Sequence, residues 1–312
     1  MYVVPSKEAN TTKLWKLNKP VYALNEASLQ WYNRVSDELI KMGIQRCKLG
    51  EALFYLHLNE SLAGFITVHV DDFLFEGLDQ FHKNIIDPLQ SIFDIGGISS
   101  APMIYLGINI TQTADKIMID QNEYIQSLEE VKITDTKDNG RPFKSPEHKE
   151  YRRLCGRLNW IPTQIRSDIA FDVAIISSNV SALTINHLKM ANKIVRKVKS
   201  TSLEISFCKL KWPLHLSVHC DASSANLPNV GSQGGKIVFL TDGNGFMSPL
   251  SWTSRKLRST ISAETMSMPD TVDMAIWVTH ILKDIKGNTA KSAQIKTDSK
   301  SLHDTAHSTT AV

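Results

Sequence analysis

Residues 64–77 read GFITVHVDDFLFEG, an apolar stretch that is interrupted by two adjacent aspartates, Asp71 and Asp72. The β-branched and aromatic side chains on both sides of the aspartates are typical of strands. The residues just before it, ALFYLHL, predict another strand, which the turn-like NESLAG separates from the stretch. The pattern therefore predicts antiparallel strands in which the chain reverses at Asp71 and Asp72.

Two carboxylates at such a reversal allow two interpretations. A charged carboxylate beside an apolar run is costly unless it is paired or bound to a cation. Oxygen ligands of this kind suit Mg²⁺, which typically uses one or two protein carboxylates together with substrate phosphates. The pair would then be half of a two-metal site for phosphoryl transfer. Aspartate is also a favoured turn residue, so a plain hairpin turn remains the alternative.

The sequence around the hairpin predicts helices and a second hairpin. Apolar residues at helical spacing predict a helix over residues 25–42 and another over residues 79–93, which Pro88 kinks or interrupts. The runs MIYLGINITQ and KIMIDQ predict a hairpin that turns near TADK, and a short helix follows from Asn122.

The remainder of the chain predicts a linker, a helical part and an α/β module. Residues 132–149 are polar and rich in turn formers, and residues 150–200 have helical patterns throughout. From about Leu203 the chain has four β-rich runs, a long helical pattern and a last strand. The four runs are EISFCKL, LHLSVHCDA, GGKIVFLTD and PLSWTSRK.

This last module contains three separated carboxylates. Asp221 is at the predicted end of LHLSVHCDA, Glu264 begins the long helix, and Asp298 ends AQIKTDS. Strand ends and helix starts can converge at one edge of an α/β sheet. Three carboxylates gathered there repel one another unless divalent cations hold them, which favours two-metal phosphodiester hydrolysis. Alternatively, Asp221 and Asp298 are ordinary turn residues at strand ends, and Glu264 is an acidic residue that the helix dipole favours in the first turn. The pattern leaves both interpretations open.

Size and composition set broad limits. A chain of 312 residues exceeds the usual single core and predicts two domains. The net charge of +3 is too small to argue for nucleic acid by itself. The four cysteines form no CxxC pair, so neither a zinc site nor a secreted disulfide framework is indicated. Because no long apolar segment or signal peptide is present, the sequence predicts a soluble, intracellular protein without a membrane partner.

Several segments, in this order, resemble the reverse transcriptase and ribonuclease H region of the Pol polyprotein of Ty1/copia-type retrotransposons. LWKLNKPVYALNEASLQWYNRV is similar to the family's stretch around Lys-x-x-Tyr-Gly-Leu, and VHVDDFLFEG to its Tyr-Val-Asp-Asp hairpin. YRRLCGRLNWIPTQIRSDIAF resembles the connection that follows. CDAS, SWTSRKL, SAET and TDSKSL follow the order of the family's ribonuclease H.

The resemblance implies an α+β palm with thumb and connection helices, followed by an RNase H-like α/β domain. The implied boundaries are residues 1–131 for a partial palm and thumb, 132–202 for a linker and helical connection, and 203–312 for the RNase H-like domain. The family activity is RNA-directed DNA polymerase plus ribonuclease H. The implied partners are an RNA template and an RNA:DNA hybrid, with no small-molecule cofactor other than deoxynucleoside triphosphates. The implied Mg²⁺ ligands and catalytic residues are Asp71, Asp72, Asp221, Glu264 and Asp298.

Departures from the family pattern predict a truncated and catalytically incomplete fragment. The family's polymerases need a third metal-binding aspartate on an earlier strand, and residues 1–13 contain none. His69 replaces the usual tyrosine before the aspartates, and Pro269 lies inside the long helix, where proline costs about 3 kcal/mol or kinks the helix. The sequence also stops soon after Asp298, before the family's final helix and fourth acidic residue.

Two alternatives remain. One is an excerpt of a longer, active polyprotein. The other is a remnant that binds nucleic acid without catalysis, through the basic helix HLKMANKIVRKVKST and the aromatic residues Trp31, Trp160 and Trp252. A solvated helix face is the simpler explanation of the same basic residues. The candidate contacts on this helix are Lys189, Lys193, Arg196 and Lys197.

Overall fold

The computed structural model describes residues 2–5, 7–9, 11, 13–16, 26–133, 138–178, 183–227, 231–257, 263–287, 293–300 and 304, with the backbone alone for residues 2, 7, 224–227 and 263–267. Runs of strands and runs of helices follow one another along this part of the chain, which confirms the predicted mixed α/β class. Two compact units are present: Met1–Ile98 with His280–Gly287, and Ser99–Thr279 with Asn288–Val312. The domain boundaries at residues 131 and 202 stay predictions.

The first unit is built on an antiparallel sheet. Two short strands, β1 (Tyr2–Val3) and β2 (Trp15–Lys16), pair only with each other among the described residues. The main sheet has four strands, each of them antiparallel to its neighbours. In spatial order they are β3 (Gln45–Arg46), β4 (Leu53–Leu58), β5 (Ser61–His69) and β6 (Asp72–Gly77). This order confirms the hairpin predicted around the two aspartates.

Helices cover this sheet as the sequence predicts. Helix α1 (Ala27–Lys41) corresponds to the helix predicted over residues 25–42. The second predicted helix is α2 (Asp79–Phe81), a π turn (His82–Ile86) and α3 (Asp87–Phe93). The π turn ends at Ile86, two residues before Pro88. Pro88 has no N–H to donate to the carbonyl one turn back, so the interruption is found where it was predicted. Core side chains with no exposed surface are Val35, Leu39, Phe54, Ile66, Phe81 and Ile85.

Two glycines allow the helical layer to approach the hairpin. Gly64 and Gly77 are directly paired on β5 and β6, and the ring of the fully buried Phe81 lies over both. A Cβ atom would lie 2.4 Å from this ring at Gly64 and 2.5 Å from it at Gly77. The glycines at the two ends of GFITVHVDDFLFEG are therefore required by packing.

The segment His280–Gly287 contacts strand β4 and the turn before it. The carboxylate of Asp284 accepts a hydrogen bond from the Lys48 backbone N–H (3.0 Å), and a ring nitrogen of His57 lies 2.7 Å from the Ile285 carbonyl oxygen. Burial, together with the nearby Asp284 carboxylate, raises the pKa of Tyr55. These contacts explain why a distant part of the chain belongs to the first unit.

The second unit begins with another four-stranded sheet, ordered β10-β9-β8-β7. MIYLGINITQ forms two strands because Leu106 (φ 51°) and Gly107 (φ 74°) make a tight turn inside it. The sequence predicted that EISFCKL begins the last sheet. In the structure it forms β10, which pairs with β9 instead. A strand's own sequence does not specify which distant strand it joins, so this prediction was wrong. The strands are β7 (Met103–Tyr105), β8 (Ile108–Gln112), β9 (Lys116–Asp120) and β10 (Ile205–Cys208).

Four helices form the largest core of the second unit. They are α4 (Asn122–Gln126), α5 (Ser145–Gln164), α6 (Ala170–Ser178) and α7 (Ile185–Ser200). Helix α4 begins at Asn122 as predicted, and α5 begins inside the stretch predicted to be a linker. The start of α5 is fixed by Glu147, whose carboxylate accepts the Lys144 backbone N–H (2.7 Å) and pairs with Arg141 (2.6 Å).

The last sheet has three long antiparallel strands and one short parallel strand. They are β11 (His215–Leu227), β12 (Gly231–Thr241), β13 (Met247–Leu257) and β14 (Gln294–Lys296). The spatial order is β13-β12-β11-β14, and β14 is parallel to β11. Helix α8 (Ala263–Lys286) connects β13 to β14 and continues through Pro269, so the proline does not end the helix. This module thus has three strands, a helix and a strand, and the remaining predicted run, EISFCKL, joins the other sheet.

Among the residues that the structure describes, no helix is both long enough and apolar enough to cross a membrane.

Candidate metal-binding hairpin and second carboxylate site

The two aspartates lie at the tip of the β5–β6 hairpin. Strand β5 ends at His69 and β6 begins at Asp72, so Val70 and Asp71 form a two-residue turn. His69 is paired directly with Asp72, and both aspartates are exposed. The structure therefore places two adjacent, exposed carboxylates at the tip of the hairpin, where the sequence predicts that the chain reverses.

The backbone of this turn is in an unfavourable conformation. Val70 has a φ of 54°, in the left-handed region that a β-branched residue rarely adopts. Such a conformation costs roughly 1–3 kcal/mol and persists only where the surrounding structure enforces it. Two-residue hairpin turns commonly require positive φ, and Gly, Asn or Asp usually provides it. Val70 is the residue that pattern reasoning missed, because nothing in VHVDDF marks it as unusual.

Helix α1 holds the turn from outside the hairpin. The indole N–H of Trp31 donates a hydrogen bond to the Val70 carbonyl oxygen at 2.5 Å. The Trp31 ring packs edge to face on Phe93, with ring centroids 5.1 Å apart. On the next residue of α1, the Tyr32 hydroxyl donates to the Glu51 carbonyl oxygen at 2.5 Å. Two neighbouring aromatic side chains thus fasten α1 to two different turns of the first unit.

The hairpin suits a divalent cation as a partial site. Carboxylate oxygens are the ligands that Mg²⁺ prefers, and it commonly takes one or two from the protein. The exposure of Asp71 and Asp72 leaves further coordination positions open to water or phosphate. Within the described part of the chain, no three His, Cys, Asp or Glu side chains are grouped so that they could hold a metal ion. The donor set at the hairpin is therefore a pair of carboxylates.

The second group of carboxylates is assembled by strand pairing. Strand β14 runs parallel to β11 with Lys296 opposite His219, and Asp298 and Asp221 each lie two residues farther along. By this register the two aspartates occupy corresponding positions along neighbouring segments of the chain, and both are exposed. The sequence predicted that Asp221 ends its strand. This was wrong, because β11 continues to Leu227. Asp298 follows the end of β14 as expected.

Glu264 is in the first turn of α8, where the sequence predicts it. Its side chain lies outside the described residues, so its proposed convergence with Asp221 and Asp298 stays a prediction.

Asp221 lines an open groove of about 500 Å³. Phe171 of α6 and Trp252 of β13 form part of its wall, and His219 and Lys236 also contribute. The Lys236 ammonium donates to the Asp270 carbonyl oxygen (2.7 Å), and burial lowers its pKa. The groove therefore combines an acidic side chain with aromatic and cationic surfaces.

The predicted basic residues lie on α7 and face two grooves. Lys189 and Arg196 line one groove, where Lys189 donates to Asn139 (2.5 Å) and Arg196 forms an ion pair with Glu130. Lys193 and Lys197 line the other groove together with Phe171 and Met190, and Lys197 lies 3.4 Å from Asp172. The helix face is therefore partly neutralised and not a uniform cationic surface.

The indole N–H of each tryptophan that the sequence suggests for nucleic-acid stacking donates a hydrogen bond within the protein. Trp31 bonds to Val70, and the Trp252 indole N–H donates to the Pro162 carbonyl oxygen. With the Gln121 amide in its favoured orientation, its oxygen accepts the Trp160 indole N–H at 3.1 Å. All three rings are partly buried, so their first role is to fix neighbouring elements.

Comparison with known proteins identifies the first part of the chain. Residues 2–145 match the model of the reverse transcriptase (RNA-dependent DNA polymerase) family. This part is therefore a reverse transcriptase-like region, and it contains the Asp71–Asp72 hairpin. The similar proteins support a more specific class for this region, that of Ty1/copia-like retrotransposons.

Similar proteins are transposon products. The chain is 28% identical to the putative transposon Ty5-1 protein of Saccharomyces cerevisiae over 85% of this chain and 91% of that protein. It is 26% identical to the retrovirus-related Pol polyprotein from transposon RE1 of Arabidopsis thaliana, over 86% of this chain and 19% of the polyprotein. It is 22% identical to the yeast Ty1-MR1 Gag-Pol polyprotein, over 93% of this chain and 18% of that protein. The chain thus spans about a fifth of each of these two polyproteins.

A similar solved structure is the foamy viral protease-reverse transcriptase in complex with an RNA/DNA hybrid. The TM-score is 0.47 and the identity 16%, over 94% of this chain and 35% of that chain.

Proposed function

We propose that the chain is part of a retrotransposon Pol polyprotein that acts on RNA templates and RNA:DNA hybrids. The observation that carries this proposal is the Asp71–Asp72 hairpin. Two exposed carboxylates lie beside a residue whose backbone is held in the left-handed region, inside the part that matches the reverse transcriptase family. Backbone strain of this kind clusters at functional sites.

Asp71 and Asp72 are the proposed ligands of Mg²⁺ in the polymerase region. When bound, Mg²⁺ would supply positive charge to the phosphate oxygens of an incoming deoxynucleoside triphosphate. The chain's own part is to keep the two carboxylates together at the hairpin tip and exposed to substrate. His69, opposite Asp72, lies where the family usually has tyrosine and shares the exposed end of the sheet.

A Mn²⁺ titration tests this assignment. Asp71→Asn and Asp72→Asn should each weaken Mn²⁺ binding about tenfold, because each removes a charged ligand. Asp79→Asn is the matched control, since Asp79 is also exposed and begins the helix that follows the hairpin. Equal Mn²⁺ affinity of the wild type and both hairpin variants would contradict the assignment.

We further propose that these 312 residues, expressed alone, do not extend a primer. The resemblance to the family implies three carboxylates, and the described residues bring no third His, Cys, Asp or Glu side chain to the hairpin. Loss of one member of a catalytic set typically costs orders of magnitude in rate. Primer extension by this polypeptide with Mg²⁺ or Mn²⁺, abolished by Asp71→Asn, would show the proposal to be wrong.

The last sheet supports an attached RNase H-like hydrolase. Its support is the parallel pairing of β14 with β11, which gives Asp221 and Asp298 corresponding positions two residues beyond the paired segment, with Asp221 lining a groove. Glu264, at the start of the connecting helix, is the third proposed Mg²⁺ ligand. In this proposal the three carboxylates would hold the metal ions, which would supply positive charge to the phosphate oxygens when water cleaves the RNA strand of a hybrid.

Hydrolysis of a labelled RNA:DNA hybrid tests the second activity. Asp221→Asn, Glu264→Gln and Asp298→Asn should each abolish it, whereas Asp273→Asn, an exposed change on α8, should leave it unchanged. Hydrolysis that survives Asp221→Asn would remove Asp221 from the site.

Binding of a hybrid without catalysis is the alternative function, and one groove favours it. Lys193 and Lys197 lie beside the exposed ring of Phe171, which also lines the groove of Asp221. A cation next to an aromatic ring suits a nucleic-acid backbone with its bases. Lys189 and Arg196, the other predicted contacts, already bond to Asn139 and Glu130.

Filter binding of a hybrid at two salt concentrations tests this contact. Lys193→Ala should weaken binding and reduce the dependence of log affinity on log salt concentration by about one. Arg196→Ala is the matched control, because Glu130 already neutralises that side chain. If the wild type shows no binding at low salt, the binding proposal fails.

A further inference from the structure

Trp31 makes a contact that neither the family resemblance nor the proposed activity assigns. Its indole N–H donates to the carbonyl oxygen of Val70, which is separated from it by the whole of β3, β4 and β5. The ring is fixed in turn by Phe93 at the end of α3. Two helices therefore hold one atom of the hairpin tip.

Holding this oxygen determines the position of Asp71. The peptide unit that joins Val70 to Asp71 is planar, so its carbonyl oxygen, nitrogen and both Cα atoms move together. Val70 occupies the left-handed region, which a valine leaves readily unless something fixes its carbonyl. The Trp31 bond fixes it, and the Cα atom of Asp71 is fixed with it.

We propose that Trp31 is a positioning residue for the metal-binding carboxylates. It keeps the turn in its left-handed conformation, so that Asp71 stays beside Asp72 before a metal ion binds. This inference rests on the proposed metal site at the hairpin. It adds a residue that contacts neither metal nor substrate but sets the affinity of the ligands, as outer hydrogen bonds do at other metal sites.

Tyr32 provides a matched comparison within the same helix. Its hydroxyl also donates to a turn carbonyl at 2.5 Å, but the acceptor is Glu51, in the turn before β4. Trp31→Phe keeps an aromatic ring against Phe93 and removes the N–H donor. Tyr32→Phe likewise keeps the ring and removes the O–H donor. The two variants lose the same kind of bond and differ in which turn is released.

The experiment is a Mn²⁺ titration of the full chain, with free Mn²⁺ measured by electron paramagnetic resonance. Mn²⁺ binding at the hairpin is defined as the fraction of total Mn²⁺ binding that is lost in the double variant Asp71→Asn/Asp72→Asn. Trp31→Phe should weaken this part about tenfold, and Tyr32→Phe should change it by less than about twofold. Circular dichroism at the titration temperature checks that all variants are folded.

A second change separates positioning from general support. Asn tolerates the left-handed region, so Val70→Asn should hold the turn without help. In the Val70→Asn background, the effect of Trp31→Phe should fall from about tenfold to less than about threefold.

The outcomes are distinguishable. An unchanged affinity in folded Trp31→Phe, an equal loss in Tyr32→Phe, or a full tenfold loss in the Val70→Asn background overturns the positioning role and leaves the metal site intact. Absence of hairpin-dependent Mn²⁺ binding in the wild type overturns the proposed metal site and the positioning role together.

Discussion

The two carboxylate pairs of this chain are built in different ways. Asp71 and Asp72 are neighbours in sequence, and a single two-residue turn brings them together. Asp221 and Asp298 are far apart in sequence, and only the parallel pairing of β14 with β11 gives them corresponding positions along the sheet. The first pair therefore depends on local backbone geometry, and the second depends on the assembly of a whole sheet.

This difference determines what supports each pair. At the hairpin, one support is the buried ring of Phe81, which packs against the paired Gly64 and Gly77. The other is the hydrogen bond from Trp31 to the Val70 carbonyl oxygen. At the second pair, they are the helices and strands that surround the groove of Asp221. Changes that weaken one set of supports should leave the other pair in place, and the following predictions test this separation.

The largest expected effect is at Arg166, in the second unit. Its guanidinium is 1% exposed, forms a bidentate ion pair with Asp168 and donates to Thr201 at the end of α7. Arg166→Met should lower the free energy of unfolding of this unit by about 3–5 kcal/mol, because these acceptors lose their buried partner. Hydrogen exchange should become faster in α6 and α7 and stay unchanged in β5 and β6.

Arg153→Met is the matched control for Arg166. Arg153 pairs with Glu150 on the surface of α5, and exposed pairs of this kind contribute little. Faster exchange in β5 and β6 of the Arg166 variant would contradict the separation of the two sites.

A smaller effect in the opposite unit is expected from Gly64→Ala. The added methyl group would lie 2.4 Å from the fully buried ring of Phe81, so the ring or the strand must shift. Overpacking of this kind costs about 1–3 kcal/mol. Hydrogen exchange should become faster in β5 and β6 and remain unchanged in β11 and β12. Gly96→Ala, where the new methyl group meets nothing within 4 Å, is the control.

The smallest effect is a pH dependence of the last sheet. Burial tends to raise the pKa of Asp242, but hydrogen bonds from the backbone N–H groups of Asn244, Lys211 and Phe246 outweigh it and hold the pKa below its ordinary value. The resulting stability is present above about pH 4 and is lost as the pH falls through the folded-state pKa.

Amide exchange in the turn between β12 and β13 measures this pH dependence. Protection there should decrease below about pH 4 in the wild type, and Asp242→Asn should remove the decrease. The same decrease in Asp242→Asn would show that another group is responsible.

Sequence patterns predicted the parts of this molecule that form locally. The β5–β6 hairpin, helix α1 and the interruption before Pro88 follow from side-chain periodicity and from the missing N–H of proline. The pairing of β10 with β9 was missed because hydrophobic pattern does not choose between distant partners.

The supports of the hairpin could not be predicted for a related reason. The Trp31–Val70 bond and the Phe81 ring over Gly64 join residues whose proximity exists only after the helices pack. Glycine at both ends of the motif was visible in the sequence, but its cause was not. The candidate ligands were therefore predictable, whereas the residues that hold them in place were not.

The proposed metal-binding hairpin of Asp71 and Asp72 lies in the reverse transcriptase-like region. The most direct test is the broadening of backbone amide NMR signals by a substoichiometric amount of Mn²⁺. The signals of residues 69–73 should broaden first, and Asp71→Asn/Asp72→Asn should abolish this broadening. Broadening that centres elsewhere in the chain, or that survives the double substitution, would contradict the proposed metal site.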